Sequence, residues 1–296
     1  MTLLALLLAL GLERLLSTHR DGGSVSALLE QLWLRLPAWL RQQPFIFWLR
    51  QQSFAPWLLA LGLAALTGWL YAQVHTLLAE LLFSTTALLV CLGPRDLAED
   101  VQRLRAARAA GDAATVARLT RLLHHGPTPD ADHRSLLGAL FIQSHERRFG
   151  TCLWFIVAGP AGAVLYRVAS RIGTVIESPG AQRQAALLHG LLAWVPARLT
   201  ALLFGLAGSM DDALEALKRV HAEPPSPDQA GWQRRTWNLL AEAANASLDW
   251  EDAPGSGPMI ASSLDATLAE VLRMETRATL ILLALAALFS AGVWVA

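Results

Sequence analysis

Apolar positions in this chain fall into long blocks separated by polar stretches, not into the scattered pattern of a water-soluble domain. The clearest block closes the sequence. Leu280 to Ala296 carries no charge, and with Thr276 and Thr279 before it the block approaches the ~20 residues a bilayer-crossing helix requires. Ala55 to Tyr71 and Val74 to Leu92 form two more blocks, read together as an antiparallel hairpin across the membrane. Thr151 to Ser170 and Ala185 to Ala207 follow, and Thr2 to Leu12 is a shorter first block. The pattern predicts an all-α fold, a polytopic membrane helix bundle of five to six transmembrane helices with helical cytoplasmic excursions.

Punctuation supports these limits. Pro56 suits the first turn of its helix, and Gly93-Pro94 stops the third block because proline cannot continue the hydrogen-bond ladder. Gly159-Pro160-Ala161-Gly162 interrupts the fourth block, and Trp194-Val195-Pro196-Ala197-Arg198 sits inside the fifth. Between the third and fourth blocks, Leu97, Val101, Leu104, Ala107, Val116, Leu119 and Leu122-Leu123 recur at helical spacing among charges. That spacing predicts two amphipathic helices broken at Gly111-Asp112 and lying outside the lipid. A loop over His125 to His133 and a helix over Leu136 to Ser144 complete this excursion.

The organisation read from these signals is a short first membrane helix (1–22), an amphipathic interfacial segment (23–54) and a transmembrane hairpin (55–93). A helical cytoplasmic excursion (94–150), a transmembrane pair (151–208), a second cytoplasmic excursion (209–275) and a C-terminal transmembrane helix (276–296) follow. The second segment mixes Trp and Arg, as in Leu32-Trp33-Leu34-Arg35, which suits the headgroup level. Thr2 to Leu12 lacks a basic start and a small-residue cleavage site, so it is read as a retained helix and not a signal peptide.

Composition agrees. The chain is 54% hydrophobic and 16% charged, against about 25% charged in soluble domains. A formal net charge of zero gives no signature for nucleic acid. Cys91 and Cys152 lie in apolar surroundings and read as small hydrophobes, and no Cys/His spacing suggests zinc. Lys and Arg concentrate in 13–54, 94–150 and 209–277, which leaves Arg167, Arg171 and Arg183 near the other side. With six crossings, the positive-inside rule places the large excursions in the cytoplasm and both termini outside. The chain is therefore expected in the bacterial inner (cytoplasmic) membrane as a multi-pass protein whose first partner is the lipid bilayer.

Four charges are misplaced for such a chain: Glu13, Glu80, Arg167 and Arg198 lie within or at the edges of apolar blocks. Burying each costs roughly 2.5–3.5 kcal/mol on insertion scales, so they should face the bundle interior. Two readings stay open. The acids and bases neutralise one another as structural pairs, or they line a polar pocket open to the cytoplasm, with carboxylates for a cation and arginines for an anionic ligand. Gly159 and Gly162 would let a helix or ligand approach the backbone. Arg95 and Asp96 follow Gly93-Pro94 and read either as a helix start or as part of that pocket.

At these residues a family resemblance emerges. Cys91-Leu92-Gly93-Pro94-Arg95-Asp96-Leu97, Ala110-Gly111-Asp112, Glu146-Arg147-Arg148-Phe149-Gly150, Gly159-Pro160-Ala161-Gly162-Ala163 with Leu165-Tyr166-Arg167, and Trp194 through Thr200 resemble the AmpE family of inner-membrane proteins. That resemblance implies a regulatory protein linked to β-lactamase induction, antibiotic response and cell-wall recycling. The family is itself similar to the CobD/CbiB proteins, the membrane adenosylcobinamide-phosphate synthases of cobalamin assembly. Glu80, Arg95-Asp96-Leu97 and Pro225-Ser226-Pro227-Asp228-Gln229-Ala230-Gly231-Trp232 look like that second branch. Its A-E-N and Asp, expected just before the fourth block, are here Ser144 to Phe149. After Tyr166-Arg167, Ala169, Ser170, Gly173 and Thr174 replace an expected Asn and Asp.

The AmpE reading implies a non-enzymatic or weakly enzymatic signalling protein that binds a muropeptide, another small anion or a partner through its cytoplasmic face, alone or as a homo-oligomer. The CobD/CbiB alternative implies an ATP- and Mg²⁺-dependent amide ligase acting on a corrinoid precursor. There Glu13, Glu80 and Asp96 would hold the metal, and Arg167 and Arg198 the phosphate of a nucleotide or other ligand. Tyr166, Trp194, Asp228 and Trp232 complete the ligand-binding candidates. A transporter has little support, since no repeat is visible.

Overall fold

The structure, a computed structural model, describes residues 2–18, 53–92, 97–125, 135–176, 178–222, 231–248 and 261–295. All regular structure among them is helical. In chain order the helices are α1 (Thr2–Thr18), α2 (Ala55–Ala72), α3 (Leu77–Leu92), α4 (Leu97–Ala109), α5 (Ala113–His125) and α6 (Leu136–Ser144). A π-helical stretch, His145–Phe149, leads into α7 (Gly150–Val175), followed by α8 (Pro179–Ala207), α9 (Met210–Ala222), α10 (Gly231–Ala246) and α11 (Ala261–Val295). Most of the interfacial stretch over 23–54 lies outside the described residues, as do the loop residues 126–134 and 223–230.

Four described helical runs are long and apolar enough to cross a membrane: Ala55–Ala72, a run starting at Leu77, a run starting at Leu136, and Pro179–Ala207. The apolar part of α1, Thr2–Glu13, is shorter than a bilayer needs. α11 is not one of the four. Its first half carries Asp265, Glu270, Arg273, Glu275 and Arg277, while Leu280, Leu288 and Phe289 in its second half are exposed. Exposed large hydrophobics also line α2 (Leu58, Leu61, Leu66, Trp69) and α3 (Leu77, Leu78, Leu82). Such a surface is stable only against hydrocarbon, and the chain is a helical membrane protein.

The helices divide into two compact units, residues 1–96 with 150–193 and residues 97–149 with 194–296. In the first unit α2 and α3 both lie along α7, and α3 also packs against α1. The pairing of α2 with α3 as a hairpin is thus only partial. They meet near their connection, where the Tyr71 and Phe83 rings are 5.9 Å apart, and α7 supplies the shared core. Small residues make this packing close. Gly68 faces the Ala161 methyl and Gly173 the Ala185 methyl, while Ala60, Ala169 and Leu188 form one buried cluster.

The fourth apolar block departs furthest from expectation. Helical geometry fails at Ala158 and Gly159, the latter at φ +61°, a backbone state open to glycine but costly for other residues. Beyond this point the chain doubles back. A Cβ on Gly162 would overlap the Trp154 carbonyl oxygen and a Cβ on Gly150 would overlap the Tyr166 ring, although a straight helix would separate those positions widely. Four residues along one leg match four along the other, so residues 150–157 and 160–175 are antiparallel legs of a tight helical hairpin. Pro160 starts the second leg, where its missing N–H costs nothing. The single helix expected over Thr151 to Ser170 is therefore two legs.

In the second unit α4 packs on α5, α5 on α6, and α9 on α10, with α6 central: Gly138 to Ser144 are all buried. α6 shows no polar face because it meets protein all round. The break expected at Gly111-Asp112 separates α4 from α5. Asp112 caps α5 by accepting the Thr115 backbone N–H at 3.0 Å. Hydrogen bonds from Thr115, side chain first, hold the Asp112 carboxyl below the ordinary carboxylate range.

Candidate functional site

The residues singled out by sequence distribute over both units. In the first, Tyr166 is fully buried on the second leg of the hairpin, seated where Gly150 lacks a side chain. Its ring lies 5.9 Å from that of buried His189 on α8. The next residue, Arg167, donates from Nη2 to the Leu92 carbonyl at 3.2 Å. Leu92 ends α3, where the helix dipole favours a cation. The Tyr-Arg pair is thereby joined to the residue immediately before Gly93-Pro94-Arg95-Asp96. Arg95 and Asp96 themselves lie outside the described residues, as does Asp228. Trp232 belongs to α10, but its side chain is not among those described.

Glu80 is in the first turn of α3, partly exposed, where the dipole favours an acid and Thr76 begins the helix. Glu13 is partly buried on α1, which packs on α3. Gly159 and Gly162 form and abut the hairpin turn, so close helix packing accounts for both. Among the described residues no group of three or more His, Cys, Asp or Glu is placed to hold a metal ion.

Pro196 explains a further contact in the first unit. Proline lacks the N–H that would bond the carbonyl four residues earlier, that of Leu192. The indole Nε1–H of Trp154 donates to that carbonyl instead, at 3.0 Å. An orphan created by sequence is filled from the hairpin's first leg.

The densest buried polar network belongs to the second unit and centres on the π-helical stretch His145–Phe149. Its wide turn sends successive (i, i+4) pairs toward different neighbours. Gln143 and Arg147 take the first direction. Arg147 Nη1 bonds Asp100 of α4 at 3.0 Å, and Arg147 Nη2 bonds Gln143 Oε1 at 2.7 Å. The Gln143 amide in turn donates to the carbonyls of Leu122 and Leu123 near the end of α5. Ser144 and Arg148 take the second direction, both donating to Glu275 Oε1 of α11, at 2.9 and 3.2 Å. Asp100, Ser144, Arg148 and Glu275 are all buried.

His145 takes the third direction. Its Nδ1 lies 2.8 Å from Thr200 Oγ1, and the Thr200 hydroxyl is 2.8 Å from the Pro196 carbonyl. A carbonyl can only accept, so Thr200 spends its hydrogen there and must accept from His145, which puts the proton on Nδ1. The His145 ring also sits 5.9 Å from Trp237 of α10. Below the network, Phe204 takes Phe141 and Phe149 edge-on at 4.9 and 5.3 Å. Glu146 is buried in the same stretch.

Trp194 and Arg198 belong to this unit but not to its buried core. Arg198 donates to the Trp194 carbonyl at 2.9 Å, one helical turn back, and its guanidinium lies 4.0 Å from the centre of the Trp194 ring. Within that motif, the residue reaching the buried network is Thr200. The sequence did not single out His145, Thr200, Glu275 or His189, all buried polar groups of the structure. The available signal was His145-Glu146-Arg147-Arg148 flanked on both sides by apolar runs, which an excursion in water would not need.

Compared with known proteins, the chain matches the sequence profile of the CobD/Cbib protein family over residues 6–236. A curated relative, the cobalamin biosynthesis protein CobD of Chromobacterium violaceum, is 28% identical over 159 residues, 51% of each chain. The match thus spans about half the length of that relative. No solved structure matches. The expected AmpE-type role in β-lactamase induction finds no counterpart in these comparisons and is overturned by the family that does match. Gly-Pro-Ala-Gly forms the turn of the helix hairpin and Pro196 lies within α8, so both motifs have a structural role in this chain. The chain belongs to the CobD/CbiB family.

Proposed function

We propose that this member of the CobD/CbiB family is a membrane-embedded enzyme of cobalamin assembly, in the bacterial inner membrane, that joins a corrinoid carboxylate to an amine as an amide. The match over residues 6–236 carries this reading. Tyr166 and Arg167, buried and half-buried beside the end of α3, and the network around His145 support it as polar groups held within apolar helices. ATP with Mg²⁺, when bound, would supply activation of the carboxylate. Mg²⁺ takes only one or two protein carboxylates together with substrate phosphates, so a full protein cage is not required. Glu13 and Glu80, on the packed helices α1 and α3, would be the two carboxylates. Arg167 would orient an anionic group of the substrate beside the Leu92 carbonyl.

A second reading, a corrinoid-binding protein that forms no bond, draws on the ion pairs Arg147–Asp100 and Arg148–Glu275. They occupy the stretch where the resemblance expects acid and amide groups, and a carboxylate locked to arginine is less available for proton or metal chemistry. Expression in a cobalamin auxotroph lacking its synthase tests the choice. Restored growth without added cobinamide supports the ligase. Normal membrane expression with no growth would leave the binding reading.

A further inference from the structure

One face of α11 buries Leu268, Val271, Met274, Ala278 and Leu282. The opposite face carries Arg273, Arg277, Leu280, Ala284 and Leu288 at three- and four-residue spacing, and all five are exposed. No charged side chain follows from Ala278 to Ala296. Two arginines therefore head a stripe that is apolar beyond them. A separate contact places this change at a membrane boundary. Arg277 Nη1 donates to the Ala207 carbonyl at 3.5 Å, where the apolar run Pro179–Ala207 ends. One apolar run thus ends and another begins at the same guanidinium, and arginine at such a limit sits at headgroup level.

The two arginines share one acid. Glu270 takes Arg273 on Oε2 at 2.5 Å and Arg277 on Oε1 at 3.5 Å. The trio keeps one positive charge, and both guanidinium groups are more than half exposed. Exposed pairs of this kind contribute ~1 kcal/mol or less, so Glu270 does not hold the forks against a second anion. Planar guanidinium forks match phosphate oxygens. From Arg277 to Leu288 the stripe runs about 16 Å at the helical rise. That is close to half of the ~30 Å hydrocarbon core, the depth of one leaflet. A phosphate with an acyl chain below it fits both parts of this face, whereas a soluble phosphate compound leaves the apolar stripe uncovered.

We propose that Arg273 and Arg277 bind the phosphate of an anionic phospholipid whose acyl chain lies along Leu280, Ala284 and Leu288. The site lies outside residues 6–236, which match the family, and does not depend on the amide-forming reading. Lipid binding and complementation therefore succeed or fail separately. The test uses the full chain in neutral detergent, with native mass spectrometry following the first bound lipid. Phosphatidylglycerol and phosphatidylcholine are titrated in parallel, and phosphatidylglycerol should bind several-fold more tightly. Arg273→Gln should weaken its binding about fivefold. Glu270→Gln should tighten it, since both forks lose their internal acceptor. Arg103→Gln, an exposed arginine paired with Glu99, should bind lipid like the unaltered chain. Arg277 also ties α11 to the end of α8, so the Arg273 and Glu270 variants decide the outcome. Glycerol 3-phosphate should not displace the lipid. Displacement at comparable concentration would make the ligand a soluble phosphate and overturn the proposal. A dimer mass in place of lipid adducts would overturn it too, by giving this face to a second copy. The site is also refuted if phosphatidylglycerol binds no more tightly than phosphatidylcholine, or if Arg273→Gln binds it as the unaltered chain does.

Discussion

Arg148, Ser144 and Glu275 show at the residue scale how this chain keeps charges inside apolar helices. Ser144 and Arg148 both donate to Glu275 Oε1, and removing the arginine or the carboxylate leaves the other charge buried without that partner. Losing one member of a buried pair typically costs about 3–5 kcal/mol, whereas replacing both by apolar groups of similar volume is often neutral or stabilising. Arg148→Met should therefore destabilise strongly, and Arg148→Met with Glu275→Leu should recover most of the loss. Chemical unfolding in detergent measures both. Equal loss in the single and double variants would show that the pair is not coupled. The charges flagged from sequence behave differently. Glu80 sits at a helix start and Arg198 lies along its own helix, so both are accommodated locally and sequence position alone overstated their isolation.

At the scale of elements, most helix limits were legible because proline, glycine and apolar runs fix them locally. α2, the Gly111 break and α6 fall where those signals stand. The hairpin in α7 was not legible. Gly-Pro within an apolar run is compatible with a kink, a bend or a full reversal, and only the distant contacts Gly162 to Trp154 and Gly150 to Tyr166 choose between them. The π-helical stretch escaped for a similar reason: its charges read as solvent-facing until α4, α8 and α11 bring partners to them. Spin labels at Leu153 and Leu165 test the reversal. A straight helix would hold them about 18 Å apart. Packed antiparallel legs bring them to roughly 10 Å, with strong dipolar broadening. An unbroadened spectrum would rule the hairpin out.

For the whole molecule, composition and blocks were enough to identify a helical membrane protein, but not its branch within a superfamily. The motifs that invited an AmpE reading are scaffold motifs. In this chain Gly159 and Gly162 serve helix reversal and close packing. Cobalamin chemistry is then the function to be tested, and direct turnover tests it more sharply than growth. The purified chain in nanodiscs, given a corrinoid carboxylic acid, an amine, ATP and Mg²⁺, should yield a corrinoid heavier by the amine less one water, with ATP consumed only when all components are present. Mass spectrometry of the corrinoid pool reads this directly. An unchanged corrinoid mass, with the folded protein shown to bind the corrinoid, would contradict the ligase account.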